Sequence, residues 1–339
     1  MLEKLFPTSW LEKHILAAVL LAAGYSVISL SIASFIFPQN TGLVSLVFLS
    51  LLIVPSMKRL FAEESNYEEQ ETSFSLAKLY TDNKRIFKTY LGIFLGVFTT
   101  YFCASAFLPL LGIDTFSLMQ EQLFIDRAIA GRAFFEQTTF MSILANNWLV
   151  LVVTFVLALL IGDGAVFFVA WNASAWGAVF GYRAFAASTY TADPILLVAA
   201  TLLAIVAAHV LLEGGAYILA AISGSIISTE VIKNSDELHR FLGYALSGVI
   251  LYALLSKLAT GLPLTNRLLI SIPVLLAILY VLRYCFTNKK HQEVYVYNYW
   301  LFVTAIAVFI TGSLVETIVL SNSNTLNAIY QASAAYTTS

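Results

Sequence analysis

Ionisable side chains inside apolar runs are the first places to look for chemistry, because each costs free energy to hold in hydrocarbon. Few occur in this 339-residue chain. Asp163 stands between Gly162 and Gly164, and Glu316 lies late in the last apolar run. His209 and Glu213 are spaced i, i+4, which puts them on one helical face. A carboxylate one turn from an imidazole fixes its tautomer and raises its basicity. Three roles are open to this pair: a hydrogen-bonded structural contact, a station for protons or cations, or an intramembrane hydrolase in which Glu213 activates water with His209. A catalytic metal would need at least one further ligand. The remaining histidines, His14, His239 and His291, sit near the ends of apolar runs, and no HExxH occurs. No metal and no cofactor is therefore expected. GxSxG, P-loop and GxGxxG patterns are also missing from the sequence, so no catalytic residue is assigned. Asp163 reads either as a helix-end residue at the membrane face or as a buried partner of His209 from the preceding element. Glu316, four residues before Leu320, is expected at the interface.

The elements that must position these residues are membrane spans. Hydrophobic residues make up 59% of the chain, charged residues 11%, and the mean hydropathy is +0.83. A soluble domain carries about 25% charge. The composition excludes a soluble enzyme, a disordered chain and a coiled coil, and predicts an all-α polytopic integral membrane protein. A net charge of −2 gives no basic surface for nucleic acid. Cys103 and Cys285 both fall in apolar runs, so neither a disulfide framework nor a metal knuckle is expected.

Apolar runs predict spans at about 15–37, 42–57, 90–111, 148–168, 241–258, 268–286 and 299–320. The first is too long for a signal-peptide core of about 7–15 residues and reads as a retained span. Residues 1–60 are expected to form a helical hairpin, and 61–88 an acidic cytoplasmic loop with Glu63, Glu64, Glu68, Glu69 and Glu71. Residues 89–230 would be the membrane core, 231–320 three further spans, and 321–339 a polar, weakly ordered tail. Within the core, 112–145 reads as an interfacial helix, and Trp148 and Trp171 as interfacial brackets of one span. Gly177 and Gly181 form a GxxxG pattern that lets helices approach closely.

The run from 195 to 228 decides the topology. About 34 residues make roughly 51 Å of helix, against a hydrocarbon core of about 30 Å. One straight span overshoots, so a broken or re-entrant hairpin hinged at Gly214-Gly215 is expected, giving about seven crossings plus the hairpin. With the N-terminus cytoplasmic, Lys4, Lys13, Lys58, Arg59, Lys78, Lys84, Arg85, Lys88, Arg183, Lys233, Arg240, Arg283, Lys289 and Lys290 then lie inside. Only Arg127, Arg132, Lys257 and Arg267 lie outside, as the positive-inside rule favours. The expected location is a cell membrane, multi-pass, with the C-terminus outside. The partners are the lipid bilayer and either other proteins or further copies of the chain.

The middle of the chain resembles the stage II sporulation protein M family. The resemblance is carried over about residues 115–230 by Asn146-Asn147 before a span, Gly162 and Gly164 late in it, Asn172 after it, and Gly177 and Gly181. The segment 208–213 is similar to that family's His-x-x-x-Glu element, here His209 and Glu213, opening a glycine-rich stretch. Val210 stands where the family has Gly, and Gly214-Gly215 where it often has Pro. The resemblance implies a membrane component of a protein assembly that is not itself the hydrolase of that assembly. The alternative from the residues is a transporter or channel component with a polar path around Asp163, His209 and Glu213.

Overall fold

The computed structural model describes residues 14–70, 78–115, 140–232 and 235–338. Glu71 and most of the expected interfacial helix, including Arg127 and Arg132, lie outside them. The described residues form ten α-helices: α1 Ile15–Ile36, α2 Thr41–Gln70, α3 Leu79–Phe107, α4 Phe140–Ile161, α5 Val166–Thr191, α6 Ile195–Ile232, α7 Ser235–Leu258, α8 Leu264–Leu282, α9 Lys289–Asn322 and α10 Asn324–Thr338. The fold is an all-α membrane architecture. Seven helices (α1, α3, α4, α6, α7, α8 and α9) are long and apolar enough to cross a bilayer. Backbone polar groups are satisfied inside each helix, the condition that hydrocarbon imposes.

Two helices replace the single span expected over 148–168. Gly162 turns the chain with a left-handed φ of 60°, a conformation that costs glycine nothing, and α4 stops there. A four-residue 3-10 turn, Gly162–Ala165, leads into α5. This helix has 26 residues and is buried along most of its length. Its small and polar residues lower its hydropathy, and its neighbours shield it from lipid. A β-carbon on Gly177 would stand 2.5 Å from the Phe98 carbonyl oxygen, and one on Gly181 would clash with the Phe102 carbonyl. The GxxxG pattern thus seats α5 backbone-to-backbone on α3. Because Gly177 meets Phe98 and Gly181 meets Phe102, the two helices run in the same direction.

The expected hairpin at 195–228 is not formed. Helix α6 runs unbroken for 38 residues, roughly 57 Å. Its second half is surrounded by protein: nearly every residue from Glu213 to Ser228 is buried. A helix clad by protein need not match the thickness of the lipid. Gly214 and Gly215 are not a hinge. A β-carbon on Gly214 would lie 2.9 Å from the Phe94 ring of α3, while Gly215 has Phe87 at 3.9 Å. The glycines admit aromatic side chains.

Other boundaries move as well. Helix α2 continues past Pro55 to Gln70, into the segment read as a loop. Residues 324–338, read as a weakly ordered tail, form α10. Ser323 starts it by accepting from Leu326 N at 3.1 Å, and Leu326 and Ile329 are buried. Its Tyr336 ring meets Phe185 edge-on, and its Tyr330 ring lies 3.9 Å from the Arg183 guanidinium, both on α5. Trp148 and Trp171 are not interfacial brackets. Trp148 is buried and donates to Ser271 Oγ at 3.0 Å and Tyr252 Oη at 3.2 Å, tying α4 to α8 and α7. Trp171 stacks on Phe168.

Candidate functional site

Helix α4 is apolar on all sides, so a polar residue within it must find its partners on other helices. Asn147 does so. Its Nδ2 donates to Glu213 Oε1 of α6 at 2.8 Å and to Glu316 Oε2 of α9 at 3.4 Å. The two carboxyls thus share one amide donor. All three residues are buried: Glu213 is 2% exposed, Asn147 7% and Glu316 9%. Glu213 is the nineteenth of the 38 residues of α6, halfway along the helix. Gly312 of α9 makes room for it, since a β-carbon there would stand 2.8 Å from Glu213 Cγ. The cluster therefore joins three helices through one amide and two carboxyls.

His209 is 5% exposed, one turn before Glu213, but no hydrogen bond joins the two. Its Nδ1 has no hydrogen-bond partner among the described residues. The expected His209–Glu213 pair is thus replaced by Glu213 with Asn147 and Glu316. Glu316 is turned into the bundle, since α9 continues to Asn322 and the carboxyl is buried against Asn147. The turn that carries Asp163 lies away from the cluster. It packs beside the far part of α6, where Ser225 Oγ donates to the Gly162 carbonyl at 2.9 Å. That point is roughly 18 Å along the helix from Glu213. Gly164 belongs to the same turn. Asn146 Nδ2 donates to Asn147 Oδ1 at 3.3 Å and so borders the cluster. Asn172 lies elsewhere, donating to its own helix at the Phe168 carbonyl, 2.8 Å away.

A second buried cluster was not anticipated. Glu237, in the first turn of α7, accepts through Oε1 from Thr287 N at 2.8 Å, Thr287 Oγ1 at 2.8 Å and Asn288 N at 3.0 Å. Its Oε2 lies 2.7 Å from His291 Nδ1 of α9, and His291 Nε2 lies 3.3 Å from Glu230 Oε1 of α6. The cluster fastens the end of α6, the start of α7 and the α8–α9 connection together at one end of the bundle. The two ring nitrogens point at different carboxylates, so the imidazole bridges them and does not converge with them on one point. Among the described residues no group of three or more His, Cys, Asp or Glu side chains is placed to hold a metal ion.

Sequence reasoning missed Glu316 as a partner of Glu213, Gly312 as the space beside it, and the Glu230–His291–Glu237 bridge. Glu316 had a signal: it is a lone carboxyl four residues after Gly312 in an apolar run, a pattern that fits a helix packed closely on another polar group. Glu230 and Glu237 lie at span ends, and nothing local in the sequence distinguishes them. No protein-family model, curated protein or solved structure matches the chain.

Proposed function

We propose that the protein is a non-enzymatic integral membrane scaffold, an assembly subunit of a membrane complex. One observation carries this reading: Glu213, the ionisable residue at the midpoint of α6, is buried and held by Asn147 of α4, which also donates to Glu316 of α9. Its polar capacity is spent on joining helices. The resemblance of residues 115–230 to the stage II sporulation protein M family supports the same role, since that resemblance implies an assembly component. We place the N-terminus on the cytoplasmic side of a cell membrane. Counting α2 and α5 as crossings gives nine, with the C-terminus outside. Relative to the sequence-based topology only Arg183 changes side, so Lys233, Arg240, Arg283, Lys289 and Lys290 stay with the basic residues of 58–88. The shared direction of α3 and α5 agrees with this count.

A second reading, movement of protons or cations, is favoured by one feature: Glu316 faces Glu213. Two buried carboxyls on one amide donor offer a station inside the bundle that a proton or cation could occupy. The purified protein reconstituted into liposomes separates the two readings. A scaffold gives proton and sodium movement no faster than protein-free vesicles. Flux that disappears in Glu213→Gln would put transport first.

A further inference from the structure

The Glu237 cluster brings three helix ends together, and with them a set of basic side chains from separate parts of the sequence. Arg240 lies one turn into α7. Arg283 follows the last residue of α8, and Lys289 and Lys290 open α9. These positions are the ends of three helices apolar enough to cross a bilayer. Glu237 accepting from Thr287 and Asn288 fixes the first turn of α7 against the α8–α9 connection. The Phe241 ring, next to Arg240, lies 6.0 Å from the Phe286 ring, so the two segments are close.

Arg283 is held in place. Its guanidinium carbon sits 4.0 Å from the Tyr280 ring centroid and 4.6 Å from that of Tyr284, and it donates to both hydroxyls. These contacts use one N–H on each terminal nitrogen; Nε is buried, which leaves the second N–H of each terminal nitrogen without a partner among the described residues. Arg240 and Lys289 are exposed, and neither is hydrogen-bonded or ion-paired to a described residue. Two acidic side chains, Asp236 and Glu293, are exposed nearby. Glu230 and Glu237 are buried and turned toward His291. At these three helix ends the basic Arg240, Arg283, Lys289 and Lys290 outnumber the exposed acidic residues Asp236 and Glu293, with one fork-shaped donor already oriented.

We propose that Arg240, Arg283, Lys289 and Lys290 form a binding site for the phosphate of an anionic phospholipid at this membrane face. Two features favour a lipid over a free anion. The site lies where span ends meet the headgroup layer, and basic pockets between span ends there recruit anionic headgroups. Directly beside it, α7 and α8 present exposed apolar side chains, including Leu242, Leu246, Val249 and Val281, on which acyl chains can lie. Arg283 supplies the paired donors that a phosphate accepts, and the lysines add charge without fixed geometry.

The test uses the full-length protein, delipidated in neutral detergent and titrated with short-chain phosphatidylglycerol, short-chain phosphatidylcholine or inorganic phosphate. Binding is read from the thermal unfolding midpoint. Phosphatidylglycerol should raise the midpoint saturably, and the other two should not. Arg283→Gln and Arg240→Gln should each weaken the effect roughly five-fold. Arg283→Lys should fall between wild type and Arg283→Gln, because it keeps the charge and loses the fork. Lys257→Gln, at the other end of α7, should titrate like wild type. Arg240 and Lys257 are exposed and Arg283 is half-buried, and size-exclusion profiles check that each variant is folded. Equal stabilisation by phosphatidylcholine would overturn the proposal, as would an Arg283→Gln protein that titrates like wild type. Reproduction of the effect by inorganic phosphate would overturn the assignment to lipid.

Discussion

Replacing Asn147 by Leu removes the one amide that reaches both carboxyls while keeping the side-chain volume nearly constant. No cavity forms, so the loss reports hydrogen bonding. Of the two bonds, the one to Glu213 at 2.8 Å has full strength, whereas that to Glu316 at 3.4 Å is near the geometric limit. In water the new leucine would gain by burial, but lipid is as apolar as leucine, so that compensation disappears in a bilayer. Interhelical hydrogen bonds in membranes are worth about 0.6 kcal/mol on average and about 1.7 kcal/mol at most. One good bond and one weak one therefore predict a loss of about 1–2 kcal/mol. The assay is unfolding by SDS in mixed micelles, followed by helix content. Asn172→Leu is the control. That side chain bonds only within its own helix, so its loss should stay below about 0.5 kcal/mol. An Asn147→Leu protein as stable as wild type, or no less stable than Asn172→Leu, would refute the joint.

Two further outcomes are expected. Gly181→Ala drives a methyl into the Phe102 carbonyl, a backbone group that cannot rotate away, and should cost about 1–3 kcal/mol. Gly243→Ala, which meets nothing within 4 Å, should be neutral or slightly stabilising by the same SDS assay. For topology, cysteines at Lys84 and His239 should label from one face of the membrane and a cysteine at Asp193 from the other, in a background with Cys103→Ser. Labelling of Lys84 and His239 positions from opposite faces would contradict the crossing count.

The sequence was legible where a single helix decides the outcome. Apolar length predicted α1, expected at 15–37 and found at Ile15–Ile36, and the spacing of Gly177 and Gly181 predicted a close helix contact. His209 and Glu213, spaced i, i+4 in the sequence, are both buried on α6. What could not be read depends on partners distant in the chain. Glu213 meets residues 147 and 316, and only the packing of α4 and α9 on α6 selects those over the nearer His209. Helix α5 escaped because hydropathy measures fitness for lipid, and α5 faces protein. The Gly214-Gly215 pair suggested a break because glycine is poor in isolated helices, yet in a packed interface the missing side chain makes room for Phe94. The run-length argument failed for the same reason: α6 is solvated largely by neighbouring helices.

The central claim is that Glu213 shares a hydrogen-bond network with residues from two other helices and not with His209. A pair of double-mutant cycles measures this directly, using Glu213→Ala with Glu316→Ala and Glu213→Ala with His209→Ala in SDS unfolding. Groups that share a hydrogen-bond network couple by about 0.5–3 kcal/mol. The Glu213–Glu316 cycle should fall in that range, and the His209–Glu213 cycle should show the smaller coupling. Additive losses for Glu213 and Glu316, together with strong coupling between His209 and Glu213, would contradict the account.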